Sequence, residues 1–224
     1  MKTRKIAIDG PAGAGKSSIA KEVAKKLGFV YVDTGALYRT VGLYSVQNGI
    51  SHDDTAGIIA TLDKIDIDLA YENGQQCVYL NGEAVGDRIR TEQASLYASA
   101  VSKIPEVRAF LLDMQKKIAK KGGVIMDGRD IGTVILPDAK VKIYLSASPE
   151  ARARRRYDEL QQKGDPATYE EVLADMIKRD YDDMHREIAP LKQAEDAIPV
   201  DTSGETLEES VAKIKDIVYK KLAE

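Results

Sequence analysis

The sequence near the start of the chain predicts a strand, a glycine-rich loop and a helix in direct succession. Residues 6–8 are apolar and predict the strand, and residues 10–17 read Gly-Pro-Ala-Gly-Ala-Gly-Lys-Ser. Apolar residues then recur at the spacing of a helix face: Ile19, Ala20, Val23, Ala24, Leu27. The loop fits G-x-x-x-x-G-K-[ST] in the strand–loop–helix context that a phosphate-binding loop requires, which predicts an α/β fold.

Each residue type in this loop has a physical role toward phosphate. Gly10, Gly13 and Gly15 let backbone N–H groups approach phosphate oxygens without an intervening side chain. The helix start points its positive dipole end at the same oxygens. Lys16 supplies a cation for the β- and γ-phosphates, and Ser17 offers a hydroxyl to Mg²⁺. The alternative is a glycine-rich turn before a helix, without a ligand.

Strand and helix patterns alternate along the rest of the chain, which predicts a parallel sheet with helices on both faces. The predicted strands are at 5–8, 29–32, 124–126, 141–145 and 198–200. The predicted helices are at 16–27, 35–48, 105–120, 149–162, 169–188 and 206–222.

One region departs from this alternation. Short β-like runs at 67–71, 77–80 and 84–85 are separated by Asn73-Gly74 and Asn81-Gly82. Asn-Gly is a strong signal for a tight turn between antiparallel strands. The region therefore predicts a small antiparallel β insert within the α/β domain.

Composition excludes several classes of protein. Lys and Arg total 33 against 36 Asp and Glu, which argues against a protein that coats nucleic acid. No segment has the 18 or so consecutive apolar residues of a membrane span. The single cysteine, Cys77, rules out an internal disulfide and predicts a reducing, cytoplasmic location.

Two further segments place polar residues where predicted strands end. In 32–39, Thr34 stands at a favoured helix-cap position and Arg39 follows in the predicted helix. This arrangement suits a second anion, although capping beside a surface arginine explains it equally well. The second segment, Asp127-Gly128-Arg129-Asp130, follows a buried strand. Ligands of open parallel sheets bind beyond the carboxyl ends of the strands, so this segment predicts a site.

The helix predicted at 169–188 has an apolar face and a polar face. The apolar face carries Leu173, Ile177, Tyr181, Met184 and Ile188. The opposite face carries Arg179, Asp183 and Arg186, and a solvated face with ion pairs is the simpler interpretation. The preceding helix concentrates positive charge in Arg152, Arg154, Arg155 and Arg156. A triphosphate ligand would explain that cluster, and an exposed basic face is the alternative.

Taken together, these segments resemble the bacterial cytidylate kinase family over essentially the whole chain. The matching segments are I-D-G-P-A-G-A-G-K-S at 8–17, V-D-T-G-A-L-Y-R at 32–39, D-G-R-D-I-G-T at 127–133, P-D-A-K-V-K-I-Y-L at 137–145 and R-D-Y-D-D-M-H-R at 179–186, continuing to A-P-L at 189–191. The phosphate loop is common to many families, whereas the other segments in this order are far more specific.

The resemblance implies a parallel-sheet P-loop kinase core, a small antiparallel β insert and a short helical lid in one domain over 1–224. The monophosphate-binding region would span 36–104 with the insert near 66–86, and the lid would span 150–168. The implied reaction is phosphorylation of CMP and dCMP by ATP with Mg²⁺, for pyrimidine metabolism. The implied protein is a cytoplasmic monomer without nucleic-acid or membrane partners.

The resemblance also implies roles for individual residues. The ATP-binding residues would be Gly10, Pro11, Ala12, Gly13, Ala14, Gly15, Lys16, Ser17 and Ser18, with Ser17 also on the metal. Thr34, Arg39 and Arg129 would hold the CMP phosphate, and Ser99, Arg108 and Asp130 would recognise the cytosine. Arg179, Asp183 and Arg186 would contact ribose, base or phosphate. The catalytic residues would be Lys16, Arg129, Arg152 and Arg156, the last two as lid arginines that close on ATP.

Other functions of a P-loop protein remain as alternatives. A kinase for another nucleotide or small metabolite is the nearest. Adenylate kinase fits less well, because Asp127-Gly128-Arg129-Asp130 replaces its usual D-G-[FY]-P-R stretch. An ATPase or nucleotide switch coupled to a protein or nucleic acid is the alternative from another class, and the sequence lacks the N-K-x-D motif of GTPase switches. A non-catalytic protein would leave Lys16 and Ser17 without a role.

Overall fold

The structure is a computed structural model that describes residues 4–72, 75–120 and 122–224. The chain divides into two compact units. The first comprises Met1–Phe29 with Gly122–Glu224, and the second comprises Val30–Lys121.

The first unit is a parallel α/β unit. Its strands are β1 (Lys5–Asp9), β6 (Val124–Gly128), β7 (Val141–Ser146) and β8 (Ile198–Asp201), in the order β6-β1-β7-β8. Its helices are α1 (Lys16–Leu27), α6 (Pro149–Gln162), α7 (Tyr169–His185) and α8 (Leu207–Ala223). All of these elements were predicted to within a few residues.

Strand β1 lies between two other strands of this sheet, and its residues from Ile6 to Ile8 are completely buried. This burial is expected for a parallel strand covered on both faces. In the register, Ile8 pairs with Asp127 and Asp9 pairs with Gly128. Strands β1 and β6 therefore end side by side. The loop after β1 and the polar segment after β6 consequently start from the same edge of the sheet.

The second unit combines helices with a small antiparallel sheet. It contains β2 (Val30–Asp33), α2 (Thr34–Gln47), α3 (Thr55–Ile59), β3 (Ile67–Glu72), β4 (Gln75–Leu80), β5 (Glu83–Ala84), α4 (Glu92–Val101) and α5 (Pro105–Ala119). Helices α3 and α4 were not predicted. The core includes Leu37, Val41, Ile58, Val101 and Leu111, none of which is exposed.

The predicted antiparallel insert is confirmed as the sheet β3-β4-β5. Leu80 pairs with Glu83 across the turn, where Asn81 and Gly82 both have positive φ. Such φ values are what a two-residue hairpin turn needs, and Asn-Gly adopts them at low cost. The other predicted turn, Asn73-Gly74, lies outside the described residues.

The apolar face predicted for helix α7 is not the face that the helix buries. The face that it buries carries Val172, Met176, Asp180 and Asp183. The predicted apolar face instead leaves Ile177, Tyr181 and Met184 exposed, at 50%, 61% and 44%. Both buried carboxylates are paired with arginines from distant parts of the chain, which offsets the cost of removing them from water.

Candidate active site

The phosphate loop joins the end of β1 to the start of α1, as predicted. Gly10 has a φ of 152°, and a Cβ atom added there would lie 1.9 Å from the carbonyl oxygen of Leu145 in β7. Only glycine fits so close to a neighbouring strand. The loop is therefore packed against the edge of the sheet.

Lys16 is buried at the first position of α1, and its Nζ donates to the carbonyl oxygen of Pro11 at 2.6 Å. Burial, together with the positive charge of Arg129, lowers the pKa of Lys16 to about 7. Nearby anionic oxygens would favour its charged form. The amine is thus placed to gain from a bound triphosphate.

Ser17 connects the phosphate loop to β6. Its Oγ donates to Oδ2 of Asp127 at 2.7 Å, and Asp127 is buried at the end of the strand. A hydroxyl and a carboxylate are the oxygen donors that Mg²⁺ prefers, and Mg²⁺ commonly uses few protein ligands beside substrate phosphates. These residues therefore fit a magnesium ion held mainly by a nucleotide.

An arginine and a carboxylate meet where β6 ends. Arg129 Nε donates to Oδ2 of Asp183, in α7, at 2.7 Å. Burial would raise the pKa of Asp183, but the charges of Arg129, Arg179 and Arg186 hold it below its usual value. Asp183 is therefore ionised, and it fixes the Arg129 guanidinium.

A second pair lies beside the first. Asp130 is buried, and its Oδ1 lies 3.6 Å from Nη2 of Arg186, which is also buried. Arg186 Nε donates to the carbonyl oxygen of Ala189 at 2.7 Å. The structure thus brings together the predicted site residues Arg129, Asp130, Asp183 and Arg186 within the first unit.

Sequence reasoning missed the residue that holds this segment in place. The two carboxylate oxygens of Asp9 accept hydrogen bonds from the backbone N–H groups of Ile131 and Gly132, each at 2.7 Å. Burial raises the pKa of Asp9 to about 6, although these two bonds act in the opposite direction. Asp9 directly precedes the phosphate loop, so its position in the motif was an available signal.

The arginines of α6 have protein partners, which the sequence cluster did not indicate. Arg152 is 2% exposed, forms a bidentate ion pair with Asp180, and donates to the carbonyl oxygens of Ala12 and Ala147. Arg155 donates to the Thr202 carbonyl oxygen at 2.6 Å. The other two make side-chain contacts: Arg154 lies 4.4 Å from the Tyr169 ring centre, and Arg156 lies 3.4 Å from Glu159.

In the second unit, the prediction that Thr34 caps α2 is wrong. The cap is Asp33, whose side chain accepts from the backbone N–H of Ala36. Aspartate and threonine are both good helix caps. Asp33 has the further advantage that its carboxylate also forms an ion pair with Arg39. Thr34 is instead the first helical residue and is buried.

The remaining predicted acceptor-site residues also lie in the second unit. Arg39 Nη2 donates to Asp33 Oδ2 at 2.7 Å. Arg108 lies 5.8 Å from the centre of the Tyr38 ring and donates to the Ser102 carbonyl oxygen at 3.4 Å. Ser99 is half-buried in α4. Arg39 is thus paired with Asp33, the residue that directly precedes Thr34.

A phosphate loop after the central strand, with paired arginines and carboxylates after the adjacent strand, defines a P-loop kinase. The family model for cytidylate kinase matches residues 6–220. The cytidylate kinase of Caldicellulosiruptor bescii is 51% identical over 220 residues, which cover 98% of this chain and 97% of the relative. That of Carboxydothermus hydrogenoformans is 52% identical over 217 residues, which cover 97% and 98%. The chain belongs to the cytidylate kinase family and is a nucleoside monophosphate kinase.

A solved structure of an uncharacterized protein from Eubacterium ventriosum also matches, with a TM-score of 0.53 at 14% identity. The match covers 98% of this chain and 99% of that one, and it concerns the fold alone. Among the helices of the described residues, none is long and apolar enough to cross a membrane.

Proposed function

We propose that this kinase transfers the γ-phosphoryl group of ATP to the phosphate of CMP and dCMP, forming CDP and dCDP for pyrimidine nucleotide metabolism. The proposal depends above all on Asp130, which is buried two residues beyond the end of β6 and lies 3.6 Å from Arg186. Asp130 lies beside the pair of Arg129 and Asp183. This cluster offers charge for a phosphate and a carboxylate for a base.

The phosphate loop would bind the donor through its backbone N–H groups and Lys16. Ser17 and Asp127 would hold Mg²⁺, directly or through water, and the ion would neutralise charge on the β- and γ-phosphates. The loop residues proposed to contact ATP are Gly10, Pro11, Ala12, Gly13, Ala14, Gly15, Lys16, Ser17 and Ser18.

The acceptor residues are those that the family resemblance implies. Thr34, Arg39 and Arg129 would hold the CMP phosphate. Ser99, Arg108 and Asp130 would recognise the base. Arg179, Asp183 and Arg186 would contact ribose, base or phosphate. The region 36–104, which contains Arg39 and Ser99, stays the predicted monophosphate-binding region.

Phosphoryl transfer requires from the protein mainly the alignment of the two substrates and the stabilisation of negative charge. The acceptor phosphate is an anion near neutral pH, so its oxygen can attack the γ-phosphorus without a general base. The bond from the γ-phosphorus to the bridging β–γ oxygen breaks, and ADP leaves. Lys16 and Arg129 would offset repulsion between two polyanions and stabilise charge on the transferring group. Arg152 and Arg156 stay the predicted lid arginines within 150–168, and Arg152 already contacts the loop through Ala12. A monomeric, cytoplasmic enzyme stays a prediction.

Asp130 would set the choice of base. Its carboxylate would accept a hydrogen bond from the exocyclic amino group of cytosine and would repel the carbonyl oxygen that uracil has there. Discrimination through a buried polar group of this kind is typically large, because the wrong base leaves the group without a partner.

The test is the ratio of kcat/KM for CMP to kcat/KM for UMP in wild type, Asp130→Asn and Asp130→Ala, with Asp175→Ala as a surface control. Asp175 is an exposed acid of α7. We expect the ratio to fall at least about tenfold in both Asp130 variants, the effect of one hydrogen bond to a charged group, and to stay unchanged in Asp175→Ala. An unchanged ratio in the Asp130 variants would remove Asp130 from base recognition.

A further inference from the structure

The side chain of Gln76, in β4, holds the main chain of Asp33 at the end of β2. The Asp33 backbone N–H donates to Gln76 Oε1 at 2.7 Å, and Gln76 Nε2 donates to the Asp33 carbonyl oxygen at 3.3 Å. One amide thus pairs with both backbone polar groups of a single residue, as a neighbouring strand would. The β insert therefore helps to hold the main chain of Asp33 in place.

The side chain of Asp33 divides its two oxygens between the helix start and an arginine. Oδ1 accepts from the Ala36 backbone N–H at 3.0 Å, and Oδ2 accepts from Arg39 Nη2 at 2.7 Å. The side chains of Arg39 and Asp33 are only 24% and 26% exposed. Because one rigid carboxylate makes both contacts, a shift of the Asp33 main chain would move the Arg39 guanidinium.

Gly35 leaves room for this arrangement. A Cβ atom at Gly35 would lie 3.0 Å from Arg39 Nη1 and 3.1 Å from Asp33 Oδ1. The guanidinium therefore lies directly over the first turn of α2. Asp33 engages Nη2, and Nε of Arg39 is buried without a hydrogen-bond partner among the described residues. Since a guanidinium has five N–H donors, donors remain for an anion.

We propose that Gln76 and Asp33 are positioning residues for Arg39. Gln76 holds the Asp33 main chain, Asp33 orients the guanidinium, and Arg39 then meets the acceptor phosphate in a fixed geometry. Gln76 acts only through the other two. The inference rests on the proposed function, in which Arg39 binds the phosphate of the acceptor monophosphate. It gives the β insert a part in acceptor affinity without any contact with the acceptor.

The test is a double-mutant cycle in the full-length enzyme with Gln76→Ala, Arg39→Ala and the double variant, reading KM for CMP, KM for ATP and kcat. We expect Gln76→Ala to raise KM for CMP about fivefold, the size of the hydrogen bonds lost, with KM for ATP unchanged. In the Arg39→Ala background, Gln76→Ala should have no further effect. Asp33→Asn, which keeps the helix cap but loses the charge, should raise KM for CMP about tenfold.

The matched control is Tyr79→Phe, which removes another β4 side-chain hydrogen bond, to Glu72, and should leave KM for CMP unchanged. A general distortion of the folded enzyme would change KM for CMP and KM for ATP alike and would persist in the Arg39→Ala background. The proposal is overturned if Gln76→Ala raises KM for ATP together with KM for CMP, or if it still raises KM for CMP in the Arg39→Ala background. It is also overturned if KM for CMP is unchanged in both Gln76→Ala and Asp33→Asn. If wild type does not turn over CMP, the proposed function fails, and the cycle is then read with the monophosphate that wild type does accept.

Discussion

Replacing Asp180 by leucine should destabilise the protein strongly, because it leaves a buried arginine without its counter-charge. Arg152 is 2% exposed, and the Asp180 side chain is 11% exposed. Removing one partner of a buried ion pair costs about 3–5 kcal/mol. After the change, the guanidinium would keep hydrogen bonds of 2.8 and 2.9 Å to the carbonyl oxygens of Ala147 and Ala12, so we expect a loss of about 3 kcal/mol, at the lower end of that range.

The assay is thermal unfolding followed by circular dichroism, where a loss of this size lowers Tm by about 6–12 °C in a protein of this length. The matched control is Lys178→Gln on the same helix. Lys178 pairs with Asp182 at 3.1 Å but is 75% exposed, and exposed pairs of this kind contribute about 0.5 kcal/mol.

A second variant separates the uncompensated charge from the loss of packing. Asp180→Leu combined with Arg152→Met removes both charges, and such replacements of a buried pair are often neutral. We expect the double variant to recover at least half of the lost Tm. If Asp180→Leu lowers Tm no more than Lys178→Gln does, or if the double variant has the same Tm as Asp180→Leu, an uncompensated buried charge does not cause the loss of stability.

Three further predictions concern the phosphate loop and its neighbours. Gly10→Ala should lower the free energy of unfolding, measured by denaturant titration, by at least about 2 kcal/mol, because the added Cβ would overlap the Leu145 carbonyl oxygen. In the control Gly49→Ala the added Cβ meets no atom within 4 Å, so the loss should be about 1 kcal/mol, and equal losses in the two variants would contradict the prediction. Burial raises the pKa of Asp9 from 3.8 to about 6 in the folded protein, so the folded state holds this proton more tightly than the unfolded chain does. The contribution of Asp9 to the free energy of unfolding is therefore fully present below pH 3.8 and is lost as pH rises through 6, by up to about 3 kcal/mol. The stability difference between wild type and Asp9→Asn should therefore shift by about 2.5 kcal/mol between pH 4 and 7, and parallel pH profiles would contradict this prediction. Ser17→Ala should raise the Mg²⁺ concentration for half-maximal rate about tenfold, and an unchanged Mg²⁺ dependence would exclude Ser17 from the metal site.

Local patterns predicted the elements whose signals lie within a short stretch of chain. The phosphate loop, β1 and α1 follow from one motif in its context. The insert follows from Asn-Gly turns between short β-like runs. Helix α4 was missed although Thr91 caps it and Glu92 opens it, because its apolar residues are mostly small and give a weak periodic signal.

Contacts between distant residues were beyond what these patterns could predict. The buried face of α7 depends on Arg152 and Arg129, which lie 28 and 54 residues from their partners Asp180 and Asp183. The periodicity of a helix reports only which of its faces is more hydrophobic. The prediction therefore placed the face with Ile177 in the core instead. The hydrogen bonds between the Gln76 side chain and the Asp33 main chain join residues 43 positions apart. No local sequence pattern predicts them.

Acceptor specificity is the most direct test of the proposal that this kinase uses ATP to phosphorylate CMP and dCMP. ADP formation should be measured with Mg-ATP and, in turn, CMP, dCMP, UMP, AMP and GMP. We expect fast turnover with CMP and dCMP and slow turnover with the other three. Preferred turnover of UMP, AMP or GMP, or no turnover with any of the five, would contradict the proposed function.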